Sequence, residues 1–151
     1  MTKIQYFPAT VRDIDWIDRI YTENIAALHG VPKSRERWEK LLADPYTIYY
    51  IVYTDRPVGW FRLDREEDGL WLGMLQIEPA CHRRGLGRAV VAEAERLARQ
   101  RGYDRLGIHA TEDNVPALGL YAACGYTVTE IGPCTTADGV ERVGMTLCKN
   151  L

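Results

Sequence analysis

The sequence predicts an α/β domain built around a mixed central sheet, and three observations carry that reading. Thr47 to Tyr53, Val58 to Leu63 and Leu70 to Ile77 are rich in β-branched and aromatic residues and are bounded by turn chemistry. Segments with apolar residues at helical spacing stand on both sides of them. From residue 70 to 124 the pattern runs strand–helix–strand–helix, the unit in which a ligand crevice is expected. A chain of 151 residues and 17.2 kDa suits a single domain over residues 1-151, with enough length to bury a core.

The elements follow in order. Lys3 to Phe7 opens as a strand. Thr10 caps a helix, with Asp13 three residues on as a near capping box. Ile14, Ile17, Tyr21, Ile25 and Leu28 give one continuous apolar stripe, which Gly30 and Pro32 end. Ser34 caps a shorter helix carrying Trp38, Leu41 and Leu42, stopped at Asp44-Pro45. The three β-rich stretches come next, joined through Asp55-Arg56-Pro57 and through the acidic run Asp64 to Gly69, read as a turn. A long helix spans Gly85 to Arg101, with Gly102 as its stop. Leu106 to Ala110 is a strand, and Asn114 opens a helix with Pro116 in its first turn and Gly125 at its close. Tyr126 to Ile131 and Arg142 to Cys148 form a final antiparallel pair around an Asp138-Gly139 turn. The order is β-α-α-β-β-β-α-β-α-β-β.

Composition excludes several classes. Hydrophobic residues are 46% and charged residues 26%, a globular balance rather than a disordered one. No apolar run reaches the roughly 20 residues of a membrane helix, so no membrane association is expected. The first residues lack an apolar signal core, which makes the cytoplasm the expected address. Cys81, Cys124, Cys134 and Cys148 show no metal-ligand spacing; buried free thiols and no metal are expected. A net charge of −2 gives no overall footprint for nucleic acid. The distribution is uneven, since residues 82 to 105 hold seven arginines against three acids. Glu95 and Arg99 stand at i, i+4 spacing for a surface pair, so the later arginines read as a solvated face.

The most informative stretch is Ile77-Glu78-Pro79-Ala80-Cys81-His82-Arg83-Arg84-Gly85-Leu86-Gly87-Arg88-Ala89. It places two glycines and three arginines between a strand end and a helix start. Backbone N–H groups at a helix N-terminus are unpaired and carry partial positive charge, and glycine lets an anion approach them. The P-loop pattern is absent, and Val90 stands where the dinucleotide pattern needs a glycine.

These residues resemble the GNAT superfamily of N-acetyltransferases. Its pattern is a strand ending aliphatic-x-Pro, then [Gln/Arg]-x-x-Gly-x-[Gly/Ala] opening a long helix. Ile77-Glu78-Pro79 and His82 to Gly87 match in order and spacing, with His82 where the family usually has Gln or Arg. Asn114-Val115-Pro116-Ala117-Leu118-Gly119-Leu120-Tyr121-Ala122-Ala123-Cys124-Gly125-Tyr126 is similar to the family's N-x-x-A-x-x-L-Y-x-x-x-G-[FY] helix. The closing Gly144-Met145-Thr146-Leu147 strand is also typical, so the resemblance spans essentially the whole chain.

The resemblance implies an acetyl-CoA-dependent N-acetyltransferase acting on a primary amine by direct attack in a ternary complex. Acetyl-CoA, with no metal, would lie between splayed strands. Leu75, Gln76 and Ile77 would offer backbone to the pantetheine. The turn His82, Arg83, Arg84, Gly85, Leu86, Gly87, Arg88 and Ala89 would take the pyrophosphate, and Asn114 and Ala117 the pantetheine arm. Tyr121 shares a helix face with Asn114 and would act as general acid, against the reading as a core tyrosine. His109 stands where sequences similar to ribosomal-protein N-terminal acetyltransferases carry a Glu base; His109 and Glu78 are the two base candidates. The acceptor stays open between a small-molecule amine and a peptide or protein N-terminus or lysine. Asp64 to Asp68 with Asp18 and Glu23 would attract a cation, or are simply solvated. Tyr49, Tyr50, Trp60 and Trp71 line an acceptor pocket or pack the sheet. A homodimer is also open. The competing class is a catalytically silent acyl-CoA-binding sensor on the same fold.

Overall fold

A computed structural model describes residues 3–151. β1 (Gln5–Pro8), β2 (Thr47–Tyr53), β3 (Pro57–Glu66) and β4 (Gly69–Ile77) are antiparallel neighbours. β5 (Arg105–Thr111), β6 (Thr127–Thr135) and β7 (Glu141–Asn150) make a second antiparallel group. The strand order is β1-β2-β3-β4-β5-β7-β6, and the groups join through the parallel pair β4–β5. This is the expected α/β arrangement on a mixed sheet.

Each face has its own core. α4 (Leu86–Gln100) and α5 (Val115–Ala123) cover one side, where Val90, Ala94 and Ala98 meet Phe61, Leu63, Leu106 and Ile108. α1 (Ile14–Glu23), α2 (Ile25–Leu28) and α3 (Arg35–Ala43) cover the other, with Ile17, Ile20, Trp38, Tyr49 and Trp60 buried together. Trp38 stands edge-on to Tyr21, Tyr49 and Trp60 at centroid distances of 5.4–6.4 Å. Each such pair adds about 0.5–1.5 kcal/mol beyond its area burial. Tyr50 stacks on Phe61 at 5.1 Å on the opposite face. Tyr49, Tyr50 and Trp60 therefore pack the sheet rather than line an acceptor pocket. Among the described residues, no helix is long and apolar enough to cross a membrane.

Three expectations are corrected. The first helix is not continuous. Thr10 and Asp13 form the capping box around a short 3-10 turn, Val11–Asp13, and α1 then stops at Asn24. Asn24 leaves helical geometry (φ −103°, ψ 4°) while its Nδ2 donates to the Ile77 carbonyl at 3.2 Å. A side chain spent on β4 breaks the helix that the apolar stripe alone would continue. Second, the acidic run is mostly strand. β3 continues to Glu66, and only Glu67-Asp68 turns the chain before Gly69 at φ +142°. Asp64 lies against Arg62 at 2.8 Å, and Asp18 accepts from Trp38 Nε1 at 2.8 Å. Both carboxylates are engaged in packing rather than free for a cation.

Third, Glu95 does not pair with Arg99. It is buried and accepts from Lys149 Nζ at 3.1 Å and from the Tyr126 hydroxyl at 2.9 Å. Lys149 also donates to the Cys124 carbonyl at 2.9 Å, so the ion pair ties α4, the end of α5 and β7 together. The helical spacing to Arg99 is weaker than a buried tertiary partner. Glu95→Ala is expected to lose about 2 kcal/mol, because it leaves the buried Tyr126 hydroxyl without its acceptor and the half-buried Lys149 without its counter-charge. Chemical denaturation checks this, and a change below about 1 kcal/mol, the value of a surface pair, would contradict it.

Candidate active site

β4 and β5 pair over only three positions: Leu70 with Leu106, Trp71 with Gly107, and Leu72 with Ile108. Beyond Leu72 each strand stays with its other neighbour, β4 with β3 to Ile77 and β5 with β7 to Thr111. The two strands part as a V, leaving the facing edge of Gly73 to Ile77 without a strand partner. The separation begins at a β-bulge. Arg62 pairs with Met74 and Leu63 with Leu72, so Gly73 is the extra residue. A Cβ at Gly73 would run into the Asp64 carboxylate and the Arg62 guanidinium, so a larger residue there has to displace that ion pair.

A cleft of about 560 Å³ fills the V. Leu75, Gln76, His109, Asn114, Ala117 and Tyr121 all line it, so the fold brings six of the residues chosen from sequence into one cavity. Asn114 is also the N-cap of α5, accepting from Ala117 N at 3.4 Å. Ile77, at the end of β4, has its carbonyl tied by Asn24 and by His82 Nε2 at 2.8 Å. Facing a carbonyl, that imidazole nitrogen is the donor. His82 thus folds the turn back onto the strand that precedes it.

The turn itself has the geometry of an anion cradle. Arg83 (φ +63°) and Gly85 (φ +77°) are both left-handed, and α4 starts at Leu86. Alternating conformations of this kind turn successive N–H groups toward one point. Arg83, Arg84 and Arg88 are exposed, and none joins an ion pair among the described residues. The two glycines serve different ends. Gly85 faces open space, whereas a Cβ on Gly87 would sit 3.0 Å from Leu120 Cδ2, so Gly87 permits α4 to pack on α5.

Tyr121 is 8% exposed, edge-on to Tyr126 at 6.4 Å, and lines the cleft from the α4–α5 side. Burial, with the nearby Cys124 thiol adding to it, pushes its phenol up to about 12. The proton is therefore retained at every ordinary pH, and the group is a donor and never the base. His109 lies on the opposite face. Its ring stacks on Trp71 at 4.4 Å, and its Nδ1 is 3.2 Å from Thr146 Oγ1. Trp71 is itself fixed by Nε1 donating to Asp68 at 2.9 Å, so this aromatic serves the site by orienting His109.

Glu78 sits outside the cleft. Its carboxylate accepts from Arg56 at 2.5 Å and from Arg19 at 3.5 Å. The hydrogen bond from Arg56, opposed by partial desolvation and aided by the charges of Arg56 and Arg19, holds the carboxyl below its ordinary range. A carboxylate so engaged gives no support to a role as base; it pins the turn to α1 and to the β2–β3 connection. Cys81 and Cys148 are buried as expected, while Cys124 and Cys134 are half-buried and Cys134 lines the cleft.

Sequence reasoning missed the cleft's outer wall: Leu28 from α2, Glu130 and Pro133 from β6, and Thr146 from β7. Glu130 and His109 both pair with Thr146, one from each side, which puts all three side chains in a row on one face. Glu130 is the only carboxylate lining the cleft among the described residues. Strand register alone creates that row, and no local motif encodes it. Gly73 did leave a signal, since glycine inside a strand marks a bulge.

Comparison with known proteins agrees with this architecture. The family model described as the acetyltransferase (GNAT) family matches residues 10–126. The chain is 32% identical over 106 residues to a mycothiol acetyltransferase of Segniliparus rotundus, covering 66% of this chain and 40% of that protein. It thus spans about two fifths of that relative. Among solved structures, a Vibrio cholerae spermidine N-acetyltransferase in complex with CoA and spermine superposes with a TM-score of 0.83 at 14% identity, covering 97% and 95% of the two chains. The ribosomal-protein-S18-alanine N-acetyltransferase of Escherichia coli does so with a TM-score of 0.78 at 18% identity, covering 98% and 94%. At such identities the superpositions speak for the fold, and the family model speaks for descent. The chain belongs to the acetyltransferase (GNAT) family.

Proposed function

We propose that this protein transfers the acetyl group of acetyl-CoA to a primary amine, a small molecule or a peptide N-terminus, within a ternary complex. The carrying observation is the order of parts along one strand. The unpaired edge of β4 lines a cleft that also holds a buried tyrosine, and the left-handed turn that follows β4 opens α4. CoA is a pyrophosphate on a pantetheine arm, and these features supply amides for the one and a strand edge for the other. A β4 N–H directed into the V polarises the thioester carbonyl.

Chemistry then divides between the faces of the sheet. The amine nitrogen bonds to the thioester carbon, the C–S bond breaks, and its electron pair goes to sulfur. Tyr121 hydrogen-bonds the departing thiolate. A phenol at about 12 is a weaker acid than a thiol near 8.5, so the proton settles on sulfur only as the new ammonium gives up its own. The amine proton thus ends on CoA. His109 takes the acceptor's surplus proton at Nε2 when Nδ1–H donates to Thr146.

Thiol release from acetyl-CoA across a panel of alkyl amines and peptides tests the transfer, with CoA-induced stabilisation measured in parallel. Release with at least one acceptor is expected. Stabilisation by CoA without release would replace the transferase by an acyl-CoA sensor.

A further inference from the structure

β4 carries a polar side chain that the scheme above leaves unused. Gln76 is 3% exposed and lines the cleft. The donors around it go elsewhere: Asn24 and His82 to the Ile77 carbonyl, and Trp60 Nε1 to the Ile17 carbonyl at 3.2 Å. Among the described residues, its carboxamide joins no side-chain hydrogen bond. Buried amides are almost always bonded, so an amide on the cleft lining with no side-chain partner in the protein is open to one from outside it.

Register decides which side it serves. Gln76 pairs directly with Trp60, which belongs to the core beneath α1 and α3. Opposed residues in an antiparallel pair share a face, so Gln76 lies on the α1–α3 face. Tyr121, by contrast, belongs to the core under α4 and α5. Leu28 and Met74 pack against the same cluster as Trp60 and also line the cleft. His109 lies on this face too, since its neighbour Ile108 points into the opposite core.

Resting on the transferase reading, we propose that Gln76 is the ligand of the acceptor nitrogen. Its Oε1 accepts an N–H of the neutral amine and turns the nitrogen lone pair toward the thioester carbon. Leu28 and Met74 bed the carbon stem, which makes the favoured acceptor a primary amine on an apolar chain. An uncharged amide suits this task, because a carboxylate at the same place would hold the amine as ammonium and so suppress attack.

Gln76→Leu keeps the volume and removes the acceptor atom. With n-hexylamine as probe, its KM is expected to rise roughly ten-fold or more, while the KM for acetyl-CoA stays within about two-fold. Gln76→Glu is expected to move the kcat/KM profile to higher pH, since more base is needed to free the paired ammonium. An amide with only a structural role would change the melting temperature and leave the amine KM and the pH profile at the parent's values, which overturns the proposal. A readout independent of turnover is the ¹⁵N side-chain amide signal of Gln76, assigned by its loss in Gln76→Leu. Adding n-hexylamine to the CoA complex is expected to shift that signal. A signal that does not move overturns the acceptor role; one that moves without thiol release keeps the subsite and removes the transferase reading.

Discussion

Replacing Tyr121 by Phe is expected to lower turnover by about 10²–10⁴-fold, the range for loss of a general acid. The ring stays, and with it the packing against Tyr126 and the core under α4 and α5. Only the hydroxyl goes. Because the thiolate leaves moderately well unaided, the effect should lie toward the lower bound. Acetyl-CoA affinity should change far less, since the proton is needed as charge develops on sulfur and not in the bound ground state. A linked stability signature separates this from a packing role. The folded phenol titrates near 12 against an ordinary 10, so the buried neutral form contributes stability that is complete below about pH 10 and lost as pH rises toward about 12. Tyr121→Phe should flatten that part of the alkaline denaturation curve. Parent-like turnover in the Phe variant on a good acceptor would take the hydroxyl out of the chemistry.

Gly85→Asp is expected to abolish CoA-induced stabilisation. Gly85 is the left-handed N-cap of α4, exposed, with nothing within 4 Å of where a Cβ would stand. The variant therefore folds, and Asp is among the side chains that tolerate this backbone region best. Its carboxylate then lies over the amides that would take the pyrophosphate, repelling the ligand and satisfying those amides itself. At ligand a hundred-fold above Kd, binding adds about 2.7 kcal/mol. In a chain of this length that is roughly 5–11 °C in melting temperature, and the Asp variant should lose nearly all of it. Gly85→Ala carries backbone strain without charge, so it should keep most of the shift. Equal shifts in parent and Asp variant would move the phosphates away from this turn. The same substitution at Gly87 is a poorer test, since a side chain there meets Leu120 of α5 before any ligand.

Much of this protein was legible in its sequence. Capping residues are local statements: Ser34 and Asn114 cap the helices read from them, and Thr10 caps the short 3-10 turn ahead of α1, each with its side-chain oxygen on a nearby amide. β-branched and aromatic richness placed β2 to its bounds, and the order of elements along the chain was legible, whereas the spatial order of the strands was not. The turn from Ile77 to Ala89 and the helix from Asn114 to Gly125 were readable because a left-handed strand-to-helix turn and an N-capped helix each need particular residues at fixed spacing. The cleft gathered Asn114, Ala117, Tyr121 and His109 around β4 accordingly.

The tertiary structure decided what no local spacing encodes. Asn24 breaks the first helix for a bond to Ile77, Glu95 turns inward to Lys149, and the acidic run lengthens β3 and β4 instead of forming a loop. In the first two a contact between residues distant in sequence outweighs a local helical pattern, worth a few tenths of a kcal/mol for a surface pair. In the third, hairpin pairing of β3 with β4 outweighs the turn chemistry of the acidic run. The division of the site between two faces has the same origin. Whether Gln76 meets Tyr121 or Leu28 depends on a pairing with Trp60 and on one extra residue at Gly73, because a one-residue shift in a strand exchanges its faces. The sequence by itself determined which residues would take part; register and bulge decided on which side of the sheet each of them works.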